Sequence, residues 1–250
     1  MEKLTQQMPS DLKQAISLIA PGTALREGID NLVDGRMGGL IYFGRSEEIM
    51  PIIDGGFFID VPYSPNYLYE LGKMDGAIIL SLDCHRILYA NCQLTPRYDI
   101  QTNETGTRHR TAERVAKMTS GVVISISKRR NQITLYHQEH RYQLQDISLL
   151  VNLAAQCQQA LENARISFDE ALRLFFEASL TGREDCQPEI DYCLFRGNHL
   201  LALYNLMEGY LLELGSEGRL FTQVVADLLA DVETQMNDLK KLLLGREAMV

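Results

Sequence analysis

Apolar positions change their spacing several times over the first 145 residues. A Ser10-Asp11 start and a Pro21-Gly22 stop bracket a short helix through Ala20, since a side-chain oxygen can cap the start and the Pro-Gly pair cannot continue the turn. A second helix is predicted over Leu25 to Val33. Leu40-Ile41-Tyr42-Phe43, bounded by glycines, reads as a buried strand, and Phe57-Phe58-Ile59 as another short one. Ser64-Pro65 opens a helix to about Met74, because proline at the first helical position loses no helical hydrogen bond. Ala77 to Leu82, Ile87 to Leu94, Val122 to Ser127 and Ile133 to His137 read as strands, and Thr107 to Thr119 as a helix among them. This alternation predicts an α/β domain over residues 1–145, with a mixed central sheet flanked by helices.

After about Gln145 the period settles at three and four. Leu149, Leu150, Leu153, Cys157 and Leu161 recur at that spacing, as do Leu203, Leu206, Met207, Tyr210 and Leu214, and then Val225, Leu228, Leu229, Val232, Met236, Leu239 and Leu243. These are the stripes of amphipathic helices, with no convincing strand among them. Residues 146–250 are therefore predicted to form an all-α bundle or spine, broken near Thr181 to Pro188 and at Gly215 to Gly218.

Composition narrows the class. The chain is 46% apolar and 23% charged, as ordinary globular proteins are. Its first residues are polar and no apolar run reaches membrane-spanning length, which predicts a soluble, cytoplasmic protein. Five cysteines, odd in number and without metal-type spacing, read as free thiols. The net charge of −9 offers no global attraction to nucleic acid or anionic lipid. An anionic partner needs a local patch, and one runs from Arg108, Arg110, Arg114 and Lys117 to Lys128, Arg129 and Arg130, with Glu113 as its single acid.

Thr105-Gly106-Thr107-Arg108-His109-Arg110-Thr111 is the densest run of chemically capable residues. Free N–H groups and partial positive charge at a helix start, joined by arginine forks and hydroxyls, make a phosphate platform. Cations in a first helical turn oppose the helix dipole, so something anionic should offset them. Met74-Asp75-Gly76-Ala77 places a carboxylate and a bare backbone where a helix gives way to a strand, which suits a ligand but equally suits a plain turn. Ser125-Ile126-Ser127-Lys128-Arg129-Arg130-Asn131 is a basic hairpin joining two strands, functional only if it reaches the same ligand. The P-loop, the dinucleotide-binding glycine fingerprint, the nucleophile elbow and the HExxH zinc motif are all missing from the sequence.

Asp75-Gly76-Ala77 together with Gly106-Thr107-Arg108-His109-Arg110-Thr111-Ala112-Glu113-Arg114 resemble the DGA and RHR signatures of the diadenylate cyclase domain. The resemblance extends through Pro21-Gly22-Thr23, Leu68-Tyr69-Glu70-Leu71, Tyr89-Ala90-Asn91 and Arg129-Arg130-Asn131. Within that group the chain is similar to the DNA integrity scanning (DisA-type) family, more loosely in the helical half, where Glu213 to Leu220 resemble a linker segment. The resemblance implies condensation of two ATP molecules into cyclic di-AMP between facing subunits, with Mg²⁺ or Mn²⁺ and an octamer of facing pairs. It further implies that Asp75 orients the ribose hydroxyl and can hold the metal. Gly76 passes close to the nucleotide, and Leu94 packs on adenine. Thr107, Arg108, His109, Arg110 and Thr111 hold the triphosphate, while Ser127 and Arg130 complete the pocket. Catalysis is implied to fall to Asp75, Arg108, His109 and Arg110.

Two departures stand out. Cys92-Gln93-Leu94-Thr95-Pro96-Arg97-Tyr98 has Gln93 where a histidine is common and Arg97 in place of an acid, which raises the alternative of a catalytically impaired protein that only binds ATP or cyclic di-AMP. The chain also stops at Val250, so the family's C-terminal helix-hairpin-helix DNA module is expected to be missing and DNA binding with it. Gly215-Ser216-Glu217-Gly218 has the wrong glycine spacing for that module and reads as a helix C-cap.

Overall fold

The computed structural model describes residues 9–182 and 185–247. Residues 1–8 and 248–250, at the outer ends of the two predicted domains, and Arg183 and Glu184, within the break predicted near Thr181, lie outside the described residues. The chain divides into two compact units, one reaching to Gln145 and the other beginning at Asp146.

The first unit is a mixed sheet with helices on both faces. In chain order its elements are α1 (Ser10–Leu18), α2 (Ala24–Asp34), β1 (Gly39–Phe43), α3 (Ser46–Ile49), β2 (Ile53–Asp54), β3 (Phe57–Pro62), α4 (Pro65–Leu71), β4 (Ala77–Leu80), β5 (Arg86–Leu94), α5 (Thr107–Met118), β6 (Val122–Ser127), β7 (Gln132–His137) and β8 (His140–Gln143). The strand order is β2-β5-β4-β1-β6-β7-β8, and β3 also pairs with β5. Only β1 and β4 run parallel, with Leu40 beside Ala77; the other pairings are antiparallel.

Strand alternation divides the core. Leu40, Tyr42, Ala77, Ile79, Cys92, Leu94, Val123 and Tyr136 pack with Ala112, Val115 and Ala116 of α5. Ile41 and Phe43, equally buried, point to the opposite face, where Leu32 of α2 reaches the backbone at Gly39. Burial on both faces explains why β1 reads as a continuous apolar run.

Several boundaries differ from the sequence reading. Pro9, not Ser10, occupies the N-cap of α1, and the Ser10 hydroxyl donates to Asp11 instead. Thr23 caps α2 by accepting from the Arg26 amide. The α4 helix stops at Leu71, three residues short of Met74, because Gly72 takes the C-cap. All five cysteines are free and buried.

The second unit is helical throughout its described residues: α6 (Ile147–Leu180), α7 (Gln187–Leu214), a 3₁₀ turn (Gly215–Gly218), α8 (Arg219–Leu228) and α9 (Val232–Glu247). Asp146 caps α6 by accepting from the Leu149 amide. Gly215, with φ of 51°, ends α7, as the C-cap reading expects. The core is a stripe including Leu150, Cys157, Leu161, Phe168, Cys193, Leu200 and Met207. No helix among the described residues is long and apolar enough to cross a membrane.

Candidate nucleotide site

The strand register gathers the predicted site residues at one edge of the sheet. Leu40 pairs with Ala77, so Gly38 and Asp75 each stand two residues ahead of that pair, at the entrances to β1 and β4. Ile126 pairs with Gly39, which puts Ser127 at the same edge, and Ser127 in turn pairs with Gln132 across the basic hairpin. Cys92 pairs with Ala77, which brings Leu94 and the end of β5 there as well. The α5 helix starts against this edge: a Cβ on Gly38 would stand 2.5 Å from Arg108 Nη1 and 3.0 Å from Cζ, so the guanidinium rests where only glycine leaves room.

Two local features shape the Asp75 side. Gly76 has φ of 103°, and a Cβ there would stand 2.8 Å from the Asn91 carbonyl carbon and 2.9 Å from the Cys92 oxygen. Asn91 itself is left-handed, with φ of 55°, where the β4–β5 register shifts. A bulge of this kind bends a strand and re-aims the side chains beyond it. Asp75 and Gly76 are exposed, whereas Leu94 is only 7% exposed and belongs to the core beneath α5.

The basic patch separates into two groups. Arg114 donates to the carbonyls of Ile100 and Tyr98, and Lys117 pairs with Glu113 and Glu139, so both are occupied with anchoring α5 and its preceding loop. Arg108, Arg110, Lys128, Arg129 and Arg130 make no ion pair among the described residues. Residues 1–145 hold 16 Lys and Arg against 16 Asp and Glu, while residues 146–250 hold 8 against 17. The net negative charge therefore lies in the second half, and the first half is balanced.

His109 is tied inward. Its Nδ1 lies 2.9 Å from Tyr136 Oη, which donates to Glu104 Oε1 at 2.7 Å; Arg141 Nε donates to the same carboxylate oxygen at 2.6 Å. Burial holds the His109 imidazole below the usual histidine range; Glu104 opposes this, and Arg141, Arg108 and Arg130 reinforce it. Burial pushes the Glu104 carboxyl up, but the bonds from Tyr136 and Arg141 outweigh it and leave it below the ordinary carboxylate range. Thr107, Arg110 and Thr111 share the first turns of α5 with these residues, its amides opening at the Gly106 N-cap.

Sequence reasoning missed Glu104, Tyr136, Arg141 and Gly38. Tyr136 reads as one more apolar strand residue, and Glu104 as a lone loop acid; the one available signal was a phenol in a strand close to a histidine-bearing helix. Ser125 and Thr134, cross-strand partners on the α5 side, bury hydroxyls that have no hydrogen-bond partner among the described residues. Among those residues no group of three His, Cys, Asp or Glu side chains could hold a metal ion, so Asp75 stands as a single carboxylate.

A helix start with arginines unpaired among the described residues, set against a glycine-lined sheet edge, is an arrangement suited to an anionic ligand. Residues 26–141 match the family described as DisA bacterial checkpoint controller nucleotide-binding. Beyond that domain, the chain is similar to proteins named DNA integrity scanning protein DisA. It is 45% identical over 225 residues to that of Clostridium kluyveri, covering 89% of this chain and 63% of the relative. It is 43% identical over 239 residues to that of Bacillus licheniformis, covering 94% and 65%. The chain thus spans a little under two thirds of the length of these relatives. Its likeness to the solved DacA from Staphylococcus aureus is loose, with a TM-score of 0.43 at 19% identity over 59% of this chain and 97% of that one.

Proposed function

We propose that the protein is a diadenylate cyclase, joining two ATP molecules into cyclic di-AMP with release of two pyrophosphates, each subunit holding one ATP against a facing subunit. The observation that carries this reading is the convergence of Asp75, Gly76, Arg108 and Ser127 on one sheet edge, with five cations left unpaired among the described residues. Arg108 and Arg110 grip the phosphates together with the amides and hydroxyls of Thr107 and Thr111. Bidentate guanidinium contacts suit that geometry, and the α5 dipole adds to them. Asp75 orients the 3′-hydroxyl. Gly76 lets the nucleotide approach the backbone, and Leu94 supports the adenine from the core side. Ser127 and Arg130 close the pocket from the hairpin.

In each half-reaction the 3′-oxygen forms a bond to the α-phosphorus of the opposite ATP. The bond to the β-phosphate oxygen breaks, pyrophosphate leaves with the electron pair, and the hydroxyl proton is released. Such transfers depend mainly on alignment and charge stabilisation, which is what this edge provides. Asp75 is the carboxylate that would hold Mg²⁺ or Mn²⁺ together with the nucleotide, and such an ion would neutralise charge on the polyphosphate. We place residues 1–145 as the cyclase domain and 146–250 as the helical part that joins subunits, as far as an octamer of facing pairs, in the cytoplasm.

Purified protein incubated with ATP and Mn²⁺ should yield cyclic di-AMP on chromatography, and Asp75→Asn should abolish it while sparing nucleotide binding. ATP binding with no product under either metal would instead favour a binding protein without turnover.

A further inference from the structure

His109 carries a tautomer question that its neighbours answer, and the consequence rests on the cyclase reading. The Glu104 carboxylate can only accept, and it takes two donors, the Tyr136 hydroxyl and Arg141 Nε, on one oxygen. Tyr136, 1% exposed and with its phenol pushed above its ordinary range by burial, keeps its single proton and spends it on Glu104. What Tyr136 presents to His109, 2.9 Å away, is therefore a lone pair. Only a protonated Nδ1 makes that contact a hydrogen bond; the other tautomer would set two lone pairs face to face. The Cδ2 edge of the ring lies toward the helix start, 3.5 Å from where a Cβ of Gly106 would be.

We propose that Glu104, Tyr136 and Arg141 are positioning residues that lock His109 in its Nδ1–H form, so that Nε2 meets the nucleotide as a bare acceptor. The charged and titratable groups around the ring are Glu104 from the loop before α5, Arg108 on α5, Tyr136 on β7, Arg141 on β8 and Arg130 at the hairpin. A bare Nε2 accepts from a donor such as a ribose hydroxyl. It repels an unprotonated phosphate oxygen, which leaves phosphate capture to the arginines and the helix amides. The relay thus gives His109 a task distinct from that of Arg108 and Arg110, although the three are adjacent in sequence. Orienting partners of this kind, one step removed from the reacting groups, typically matter by ~10-fold to 100-fold.

The test is nitrogen-resolved NMR of the whole chain labelled at histidine, above the pH at which His109 titrates. The expected spectrum shows a pyrrole-type Nδ1 and a pyridine-type Nε2. In Tyr136→Phe the ring should redistribute toward the Nε2–H form, with kcat lowered about 10-fold and KM for ATP changed less than about 2-fold. Glu104, on the loop before α5, is the acceptor that holds the Tyr136 proton, so Glu104→Ala frees that hydroxyl to donate to Nδ1; it should move the same signals in the same direction, and Glu104→Asp should restore part of the loss. An Nε2–H ring in the unmodified protein, or unchanged tautomer and kcat in the variants, overturns the proposal. The tautomer is read without turnover, so a protein that made no cyclic di-AMP would refute the cyclase reading and still decide this one.

Discussion

Gly76 and Asn91 meet back to back where β4 and β5 first pair, and both have left-handed backbones. A side chain on Gly76 would press on main-chain atoms of β5 that cannot swing aside, so Gly76→Ala should cost about 1–3 kcal/mol of stability. Asn91→Val puts a β-branched residue at φ of 55° and should cost about 1–2 kcal/mol, whereas Asn91→Gly should change little. Denaturant unfolding checks all three. Residues whose chemistry is local were legible from the sequence: the Asp75-Gly76 turn and the Arg108-His109-Arg110 run announce themselves by type and spacing. Glu104, Tyr136 and Arg141 did not, because their meaning lies in a contact that spans 27 to 37 positions of sequence and forms only once β7 and β8 lie beside α5. Leu94 was readable as an apolar strand residue, but not as a member of the α5 core.

The α5 helix turns this chemistry toward the sheet edge, and it is anchored away from its functional end. Glu113 bonds the Thr102 hydroxyl and pairs with Lys117 at 3.0 Å, and Lys117 also reaches Glu139. Burial raises the Glu113 carboxyl, but the bonds from Thr102 and Lys117 outweigh it, leaving the folded pKa below the ordinary range. A carboxyl depressed on folding adds stability that is full above its unfolded value, about 4.3, and drains away as pH falls through the folded value. Glu113→Gln should therefore lower the thermal midpoint most above pH ~5, with the gap from the unmodified protein closing as pH drops below ~4. Equal loss at every pH would mean that the Glu113 contribution is not ionic. The long elements were legible because an apolar period survives over many residues. The misses are short or polar: α3 spans four residues, β2 two, and β8, His140–Gln143, offers only a half-buried tyrosine and glutamine as pattern. Such segments are fixed by their neighbours rather than by propensity.

At the scale of the molecule, the change from mixed to purely helical periodicity after Gln145 was plain in the sequence, and the described residues from Asp146 onward contain no strand. How many copies assemble was not legible, since it depends on surfaces rather than on period. The proposed chemistry still sets a demand, because one chain with one nucleotide cannot close a ring of two. Specific activity should therefore fall steeply on dilution and recover on reconcentration, in step with loss and return of the oligomer by mass photometry. Activity independent of concentration in a sample shown to be monomeric would contradict the facing-subunit arrangement.

The most direct measurement is an experimental structure of the protein with 3′-deoxy-ATP, which binds as ATP does but lacks the attacking hydroxyl. The expected result is Arg108 on a phosphate and Asp75 beside the ribose of the same nucleotide, with a second nucleotide facing it from another subunit. A nucleotide that touches Arg108 while Asp75 lies out of reach of any ribose would contradict the proposed site.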